Sequence, residues 1–356
     1  MRAGEVLNGY RLLADFTVVG AGLSRWTFAE RGGRTYFLKE FLSPTYPDES
    51  APGSERIKAK KRARCARFEE HHRSIQAALA PLSAYGGNLI VTLDFFRWGA
   101  KYYKVTEAVD AVDLGPGGIA ALPPKQQLVL MKSLAASLKI LHGLGIVHGD
   151  LKPSNVLVKR TEHGYTSKLI DFDNAYLAGR PPAAEEIVGT INYYSPELLG
   201  YVQERGVEPS ELGTASDVFA LGLVFVEFLT GAPPAFDVER YHEAAVAAQD
   251  GVVLTVDRTG LPPALADLVD RMLLADPAAR PSIADAHSAL LAIRAPGEAP
   301  TVVTPPAPPS APTPPRSGAL RGKLVGTSAP PEPAPEPRSS GLVGKLLGRT
   351  GREPRR

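Results

Sequence analysis

The segment VHGDLKPSNVLV, residues 147–158, decides the fold of this chain. It sets an aspartate, a lysine and an asparagine at fixed spacing, at Asp150, Lys152 and Asn155. Sixteen residues after Asn155, a further aspartate, Asp171, begins the sequence Asp-Phe-Asp. Carboxylate and amide oxygens are hard ligands for a divalent cation, and a lysine can neutralise a phosphate. The spacing of these side chains therefore predicts a site suited to phosphoryl transfer.

Phosphoryl transfer demands little covalent chemistry from a protein. It needs a carboxylate at the acceptor hydroxyl, metal ligands, a cation on the phosphates and a cover that excludes water. Asp150 can accept the hydroxyl proton, and Lys152 can neutralise the transferred group. The oxygens of Asn155 and Asp171 can hold Mg²⁺.

Residues further upstream are candidates for the remaining roles. Lys39, in the run YFLKEF, can reach the α- and β-phosphates of a nucleotide. Gly20 and Gly22, in a Gly-Ala-Gly sequence between two strand-like runs, can form the backbone cover. A glycine pair and a single lysine are weak signals when taken alone.

The hydrophobic pattern changes its period along the chain. Short β-rich runs separated by glycine pairs predict the strands 10–19, 26–31, 35–41, 89–98 and 101–109. A charged helix is predicted between them, at 55–79. From Lys125 onward, apolar residues recur at helical spacing and predict amphipathic helices at 127–144, 263–275 and 283–293, while the almost wholly apolar run 218–229 predicts a buried core helix. The sequence therefore predicts an α+β fold with a small β-rich lobe, residues 1–109, and a larger helical lobe, residues 110–295.

The motifs resemble those of the eukaryotic-type serine/threonine protein kinases that bacteria also encode. HGDLKPSN at 148–155 matches the catalytic-loop motif, DFD at 171–173 the magnesium motif and SPE at 195–197 the end of the activation segment. Asp217 resembles the buried aspartate that supports the catalytic loop, and Arg280 the arginine that pairs with the glutamate of SPE. This order and spacing of motifs is very hard to obtain by chance.

The resemblance covers residues from about 10 to 293 and implies a protein-kinase-like, two-lobed fold. It implies ATP and Mg²⁺ as cofactors, with Mn²⁺ as a second candidate metal, and proteins as substrates. Lys152 is typical of kinases that act on serine or threonine rather than on tyrosine. Gly189-Thr190, with Tyr193, resembles the loop that faces the substrate.

The resemblance also assigns the residues expected around the adenine. Thr106 falls at the gatekeeper position. Glu107 to Val109 is then the hinge segment that contacts the base, and both Glu107 and Val109 are candidate nucleotide-binding residues.

Two residues depart from the family pattern at the nucleotide motifs. Arg25 stands where a third glycine is usual, and a solvated arginine on a hairpin is the favoured interpretation over one that contacts phosphate. Asp173 replaces the last glycine of the magnesium motif, which restricts the backbone or adds a carboxylate near the metal. Both departures raise the prospect of a feeble enzyme.

A third departure concerns regulation. Gly149 replaces the arginine that in the family binds the phosphate of a phosphorylated activation segment. Residues 174–189 contain no serine or threonine, and Tyr176 is the one hydroxyl there. The phosphate receptor and the phosphorylation site are missing together. We therefore expect activity that does not depend on phosphorylation of this segment.

The sequence offers two candidates for the acidic partner of Lys39. Glu69 and Glu70 are both candidates, and Glu70 is preferred. The apolar register of the helix nevertheless favours His71 or His72 at that position. Since adjacent histidines lie about 100° apart on a helix, they do not suggest a metal site and are interpreted as surface residues.

Two other functions compete with the protein kinase. A kinase-fold enzyme that phosphorylates a small molecule would share the HGD sequence, but Lys152, the SPE motif, Asp217 and Arg280 argue against it. A pseudokinase that binds a nucleotide or a partner without transfer is favoured by Arg25 and Asp173. The catalytic and metal-binding residues at Lys39, Asp150, Lys152, Asn155 and Asp171 oppose it.

Charge and cysteine content exclude some classes of protein. The net charge is +2, yet residues 296–356 carry nine Lys and Arg against four Asp and Glu, so the body carries −3. Nucleic-acid binding by the body is thereby excluded on charge grounds.

The single cysteine, Cys65, excludes an intrachain disulfide framework. The apolar run at 218–229 is too short to span a bilayer, the N-terminus lacks a signal-like segment, and a cytoplasmic location is predicted.

The last 61 residues differ in composition from the rest. They hold 15 of the 33 prolines, which predicts a disordered basic tail at 296–356. Within it, SGALRGKLVGT at 317–327 recurs as SGLVGKLLGRT at 340–350. Leucines four residues apart beside a lysine favour two short docking segments for a partner protein. The glycines favour the alternative of a solvated tail.

Overall fold

A computed structural model describes residues 1–18, 24–48, 52–83 and 87–295. Within these ranges the chain has the predicted α+β fold, with a sheet-rich N-terminal lobe and a mainly helical C-terminal lobe. The last strand of the sheet ends at Glu107 and the first helix of the second lobe begins at Pro116. These ends lie on either side of the lobe boundary predicted near residue 109.

The N-terminal lobe is built on an antiparallel sheet with the strand order β1-β2-β3-β4-β6-β5. Its strands are β1 (Val6–Leu7), β2 (Tyr10–Leu12), β3 (Ser24–Arg31), β4 (Arg34–Phe41), β5 (Thr92–Trp98) and β6 (Lys101–Glu107). The strand predicted at 10–19 is shorter, because the chain leaves β3 after Leu13, whose N–H donates to the Phe28 carbonyl at 2.8 Å, and returns to it at an isolated bridge between Thr17 and Trp26. Val19 lies outside the described residues.

The register of the sheet sorts side chains onto two faces. Glu40 on β4 lies opposite Arg25 on β3 and Tyr103 on β6. Lys39, one residue earlier, lies opposite Lys104 on β6. Because successive side chains on a strand point to opposite faces, Lys39 and Lys104 share one face, and Arg25 and Glu40 share the other.

Helix α1 (Glu55–Ser83) covers the face that carries the two lysines. Its apolar contacts with the sheet centre on a buried cluster of Phe41, Cys65, Phe95 and Tyr102. Cys65, His72, Ile75 and Leu79 are buried, and Phe68 is half-buried, which places inward residues three or four apart along the helix. His72 thus occupies the gap between Phe68 and Ile75.

The C-terminal lobe packs helices around a large apolar core. Its helices are α2 (Pro116–Ala120), α3 (Pro124–Gly143), α4 (Pro196–Val202), α5 (Ala215–Thr230), α6 (Val238–Tyr241), α7 (Ala244–Gln249), α8 (Pro263–Met272) and α9 (Ile283–Ala292). Two small antiparallel strand pairs complete it: β7 (Ile146–Val147) with β10 (Tyr176–Leu177), and the hairpin of β8 (Val156–Thr161) with β9 (Gly164–Leu169).

Helix α5 explains the longest apolar run of the sequence. It is buried from Ser216 to Phe228, so its apolar residues face the core on all sides. Glu227 accepts a hydrogen bond from the Tyr193 hydroxyl at 2.6 Å, and burial raises the pKa of this glutamate. Across the described ranges, no helix combines the length and the apolar character needed to cross a membrane.

Candidate active site

Asp217, in the first turn of α5, holds the backbone of the catalytic loop, residues 148–155. Its carboxylate accepts the backbone N–H groups of His148 (2.7 Å) and Gly149 (3.1 Å) and contacts Nε2 of His142 at 2.9 Å. Burial raises the pKa of Asp217, but hydrogen bonds from His142 and His148 outweigh it and lower the pKa overall. An ionised carboxylate therefore fixes the loop, as the resemblance implied.

His148 connects the loop to the strand that carries the metal motif. Its Nδ1 accepts the N–H of Asp150 at 3.3 Å, so its Nε2 must carry the proton that it donates to the carbonyl of Ile170 at 3.0 Å. The ring is fully buried beside Phe172. This arrangement sets the backbone of Asp150 against the residue that precedes Asp171.

The backbone and the space around residue 149 favour a glycine there. Its φ is +76°, in the left-handed region that favours glycine. A Cβ atom at this position would collide with the backbone carbonyl of Asn174. An arginine here would be strained by the backbone and the space alone, so the chain would have to shift to accommodate one.

Asp150, Lys152 and Thr190 form a compact polar triangle. One oxygen of Asp150 accepts the N–H of Thr190 at 3.0 Å, and the other accepts Lys152 Nζ at 2.8 Å. Lys152 Nζ also donates to the Thr190 hydroxyl at 2.6 Å. The two candidate catalytic residues are therefore adjacent, and the predicted substrate-facing loop closes on both of them.

The β8–β9 pair brings the two candidate metal ligands together. Asn155 directly precedes β8, Asp171 follows β9 by two residues, and the N–H of Ile170 donates to the Asn155 carbonyl at 3.0 Å. Asn155 donates through Nδ2 to the Asp150 carbonyl at 2.7 Å, which leaves its amide oxygen to bind a cation. An amide oxygen beside a carboxylate is a donor set that fits Mg²⁺.

Asp171 adopts a conformation that is costly for a non-glycine residue, with φ +64° and ψ +72°. Such left-handed residues occur at sites that the surrounding structure constrains strongly. Here the constraint is electrostatic, because Lys39 Nζ lies 2.9 Å from one carboxylate oxygen and Lys104 Nζ lies 2.9 Å from the other. Burial raises the pKa of Asp171, but the two lysines outweigh it and hold the pKa well below its usual value.

Asp173 completes a group of four charges with these residues. It lies 2.6 Å from Lys39 Nζ and also forms an ion pair with Lys104. Burial lowers the pKa of Lys39, yet Asp173 and Asp171 together raise it above its ordinary value. Sequence reasoning missed Lys104, although the pairing of the runs 35–41 and 101–109 could have placed it opposite Lys39.

The preferred partner of Lys39 is not confirmed. Glu70 is exposed, and Glu69 accepts the Tyr102 hydroxyl at 2.7 Å. Neither is brought to Lys39, because the helical register turns His72 inward at the level of the lysines. The interpretation of His71 and His72 as surface residues is wrong for His72, which is buried, while His71 contacts the Asp173 carbonyl at 3.0 Å.

Arg25 lies on β3 with its side chain 39% exposed, as the favoured interpretation of a hairpin arginine expects, and it also has partners within the sheet. Its guanidinium contacts Glu40 at 2.6 Å and lies over the Phe16 ring at 5.6 Å. Since Arg25 shares its face of the sheet with Glu40, it points away from the face of Lys39. This geometry removes Arg25 from the candidate phosphate contacts.

The remaining nucleotide candidates lie where the hinge was expected. Thr106 follows Lys104 by two residues on β6 and shares its face of the sheet. Glu107 ends β6, and the Val109 carbonyl accepts the N–H of Ala111 at 3.0 Å. Gly20 and Gly22 lie outside the described residues.

The buried His72 makes stability depend on pH. Burial lowers the pKa of His72 to about 3 from 6.5. Between these values the unfolded chain binds a proton at this site that the folded chain does not. The free energy of unfolding should therefore fall as the pH drops below 6.5, by about 1.4 kcal/mol per pH unit from this residue.

Urea denaturation at pH 7.5 and pH 5.5 checks this expectation. His72→Phe, which suits the surrounding rings of Phe41, Phe68 and Phe95, should lose less stability than the parent chain between these pH values. Exposed His163→Gln is the matched control and should lose as much as the parent. Equal losses in the parent and in His72→Phe would contradict the assignment.

Comparisons with known proteins agree with this geometry. A family model described as protein kinase domain matches residues 54–290. The chain is 31% identical to the serine/threonine-protein kinase pkn2 of Myxococcus xanthus over 64% of its own length. It is 29% identical to the serine/threonine-protein kinase PknD of Mycobacterium tuberculosis over 78% of its length. It spans 28% of the first relative and 38% of the second.

Proposed function

Because the chain belongs to the protein kinase domain family, we propose that it transfers the γ-phosphate of ATP to serine or threonine hydroxyls of protein substrates. The observation that carries the proposal is the triangle of Asp150, Lys152 and Thr190. It sets a carboxylate and an ammonium group side by side under the loop that would receive the acceptor. Kinases of this family use ATP and Mg²⁺, and the same cofactors are proposed here.

Each side chain then has a role in positioning or charge neutralisation. Asp150 orients the acceptor hydroxyl and takes its proton, and Lys152 neutralises charge on the group in transfer. Asn155 and Asp171 would hold Mg²⁺, which would supply charge neutralisation to the phosphates. Lys39 is proposed to contact the α- and β-phosphates. Thr106, Glu107 and Val109 are proposed to border the adenine, and Gly20 and Gly22 to cover the phosphates.

A transfer assay with radiolabelled ATP tests the proposal. The full chain is incubated with Mg²⁺ and, in separate reactions, a mixture of protein acceptors or a mixture of small hydroxylated acceptors, and the phosphorylated residues of the proteins are identified after hydrolysis. Label on serine or threonine is expected, and it should be absent with Asp150→Ala. Label confined to small hydroxylated acceptors would instead assign the chain to small-molecule phosphotransferases.

A nucleotide-binding pseudokinase is the second candidate. It is favoured by one observation, the contact of both Asp171 oxygens with lysines, which compete with a cation for the carboxylate. A carboxylate offers about four lone-pair positions, so the lysines and a metal can share it. Binding of ATP with no labelled acceptor in the same assay would favour the pseudokinase.

We further propose that activity does not require a phosphate on the activation segment. Tyr176, the one hydroxyl between residues 174 and 189, is 4% exposed and therefore hard to modify. Glu186 of the same segment already forms an ion pair with Arg67 of α1 at 3.1 Å. A carboxylate thus occupies a place where a phosphate could otherwise hold the segment to the helix.

Phosphatase treatment checks this proposal. The treated enzyme is expected to keep its initial rate, since the one hydroxyl of residues 174–189 belongs to the buried Tyr176 and the Arg67–Glu186 ion pair is unaffected by a phosphatase. Mass spectrometry before and after treatment should find residues 174–194 unmodified. A loss of rate that follows the removal of a phosphate from these residues would refute the proposal.

The segments 317–327 and 340–350 lie outside the described residues. Their proposed role as docking segments for a partner protein rests on the duplicated sequence, with leucines four apart beside Lys323 and Lys345. The cytoplasmic location also stays a prediction from the sequence.

A further inference from the structure

Two lysines face each other across the sheet at the nucleotide side of the site. Lys39 on β4 and Lys104 on β6 are direct cross-strand partners. Their side chains are only 16% and 4% exposed. Like charges directly opposite each other repel, and burial removes the water that would screen them. This pair therefore requires acidic partners of its own.

The acidic partners come from the segment Asp171 to Asp173. Each aspartate contacts both lysines. The Asp171 carboxylate lies 2.9 Å from the Nζ atoms of Lys39 and Lys104. The Asp173 carboxylate lies 2.6 Å from Lys39 Nζ and also contacts Lys104 Nζ. Two positive and two negative charges form a closed ring. The ring joins the sheet of one lobe to the metal motif of the other.

Helix α1 offers no carboxylate to this ring. The residue that points toward it is His72, whose Nδ1 lies 4.0 Å from Asp173 and whose ring packs between Phe68 and Phe95. Glu70 is exposed, and Glu69 is bonded to Tyr102. The helix therefore contacts Asp173, through His71 at its backbone carbonyl, rather than Lys39 directly.

We infer that Asp173 is the positioning residue for Lys39 in this chain, and that Lys104 is its partner on the sheet. The inference rests on the proposed function, because Lys39 is taken to contact phosphates. Asp171 is also the residue that would hold the metal, so Asp173 is the carboxylate that is left to pair with Lys39 and Lys104. The departure from glycine at residue 173 then maintains the site instead of weakening it.

A consequence concerns control of the enzyme. A lysine anchored by the metal motif keeps its position as long as the segment 171–173 is in place. A shift of α1 that moved only the exposed Glu70 would not release it. This fits a kinase whose activation segment also lacks a site for phosphorylation.

Binding measurements with the full chain test the inference. The probe is a non-hydrolysable ATP analogue with Mg²⁺, measured by calorimetry on the parent, Asp173→Asn, Asp173→Glu, Glu69→Gln and Glu70→Gln. Asp173→Asn is expected to raise the analogue Kd and the KM for ATP by roughly 10- to 100-fold, the range for a lost charge-assisted hydrogen bond. Asp173→Glu should recover part of the loss, and the exposed Asp250→Asn is the matched control.

A double-mutant cycle on the nucleotide-free protein supplies a second readout. Lys104→Met and Asp173→Gly should each lower the thermal midpoint, by roughly 5–10 °C for a broken buried ion pair in a domain of this size. The double variant should lose clearly less than the sum of the two, because it removes both charges together. Additive losses would overturn the partnership of Lys104 and Asp173.

The outcomes separate this inference from the proposed function. If the analogue Kd rises with Asp173→Asn but the protein transfers no phosphate, the kinase activity is refuted. Asp173 is then retained as the anchor, that is, the positioning residue, of Lys39. A Kd that rises with Glu69→Gln or Glu70→Gln and not with Asp173→Asn would overturn the anchor and leave the kinase activity intact. If the parent bound no analogue, the thermal cycle alone would decide the pairing.

Discussion

Replacing Asp150 with asparagine is expected to lower kcat for phosphate transfer by about 10²- to 10⁴-fold. Asparagine has nearly the same shape and can still accept the N–H of Thr190, which now bonds one oxygen of Asp150. It cannot take a proton from the acceptor hydroxyl, and it removes the negative charge beside Lys152. The change therefore isolates the chemical step from the structure of the loop.

Steady-state and single-turnover rates with radiolabelled ATP measure this effect. The Kd for an ATP analogue should stay within about threefold of the parent value, because Asp150 is proposed to act on the acceptor rather than on the nucleotide. The exposed Asp113→Asn serves as the control for loss of a carboxylate. A kcat that stays near the parent value would remove Asp150 from the proposed mechanism.

Replacing Arg280 with methionine is expected to lower the free energy of unfolding by about 3–5 kcal/mol. Its guanidinium contacts both oxygens of Glu197, at 2.7 and 2.8 Å, and neither side chain is more than 8% exposed. It also donates to the backbone carbonyls of Ala215, Leu274 and Ala275. The variant would leave the buried Glu197 carboxylate without its cationic partner and the three carbonyls without this donor.

Urea denaturation checks this expectation, with Arg258→Met as the matched control. Arg258 also contacts two carboxylates, on Asp267 and Asp270, but its side chain is 54% exposed. Water replaces such contacts, so the control should unfold at nearly the parent midpoint. Similar midpoints for both variants would show that the buried pair does not hold α4 to the segment before α9.

Much of the site could be predicted from the sequence because its residues are close together in the chain. Asp150, Lys152 and Asn155 occupy one loop of six residues, and Asp171 follows a single β-hairpin. The hairpin brings Asp171 back beside Asn155 whatever the rest of the fold does. The helical core could also be predicted, since the buried residues of α3 follow the helical spacing of its apolar residues and α5 coincides with the long apolar run of the sequence.

The features that the sequence left open or misplaced have a common physical cause. Glu70 and the supposed surface position of His72 depend on how α1 is rotated against the sheet. Arg25 depends on which face of β3 carries it. Long-range packing sets both the rotation of a helix against a sheet and the face of a strand on which a side chain lies. A change of one residue in strand register moves a side chain to the opposite face.

The sequence by itself determined the fold class, the catalytic loop and the metal motif, because their patterns are local and their residue types fix the chemistry. It also showed that Gly149 and Asp173 depart from the family pattern. Only the tertiary structure decided which residues Asp173 contacts, because its partners, Lys39 and Lys104, stand 134 and 69 residues away in the chain. Ion pairs over such separations form only after the sheet and the helical lobe have packed, and no local pattern records them.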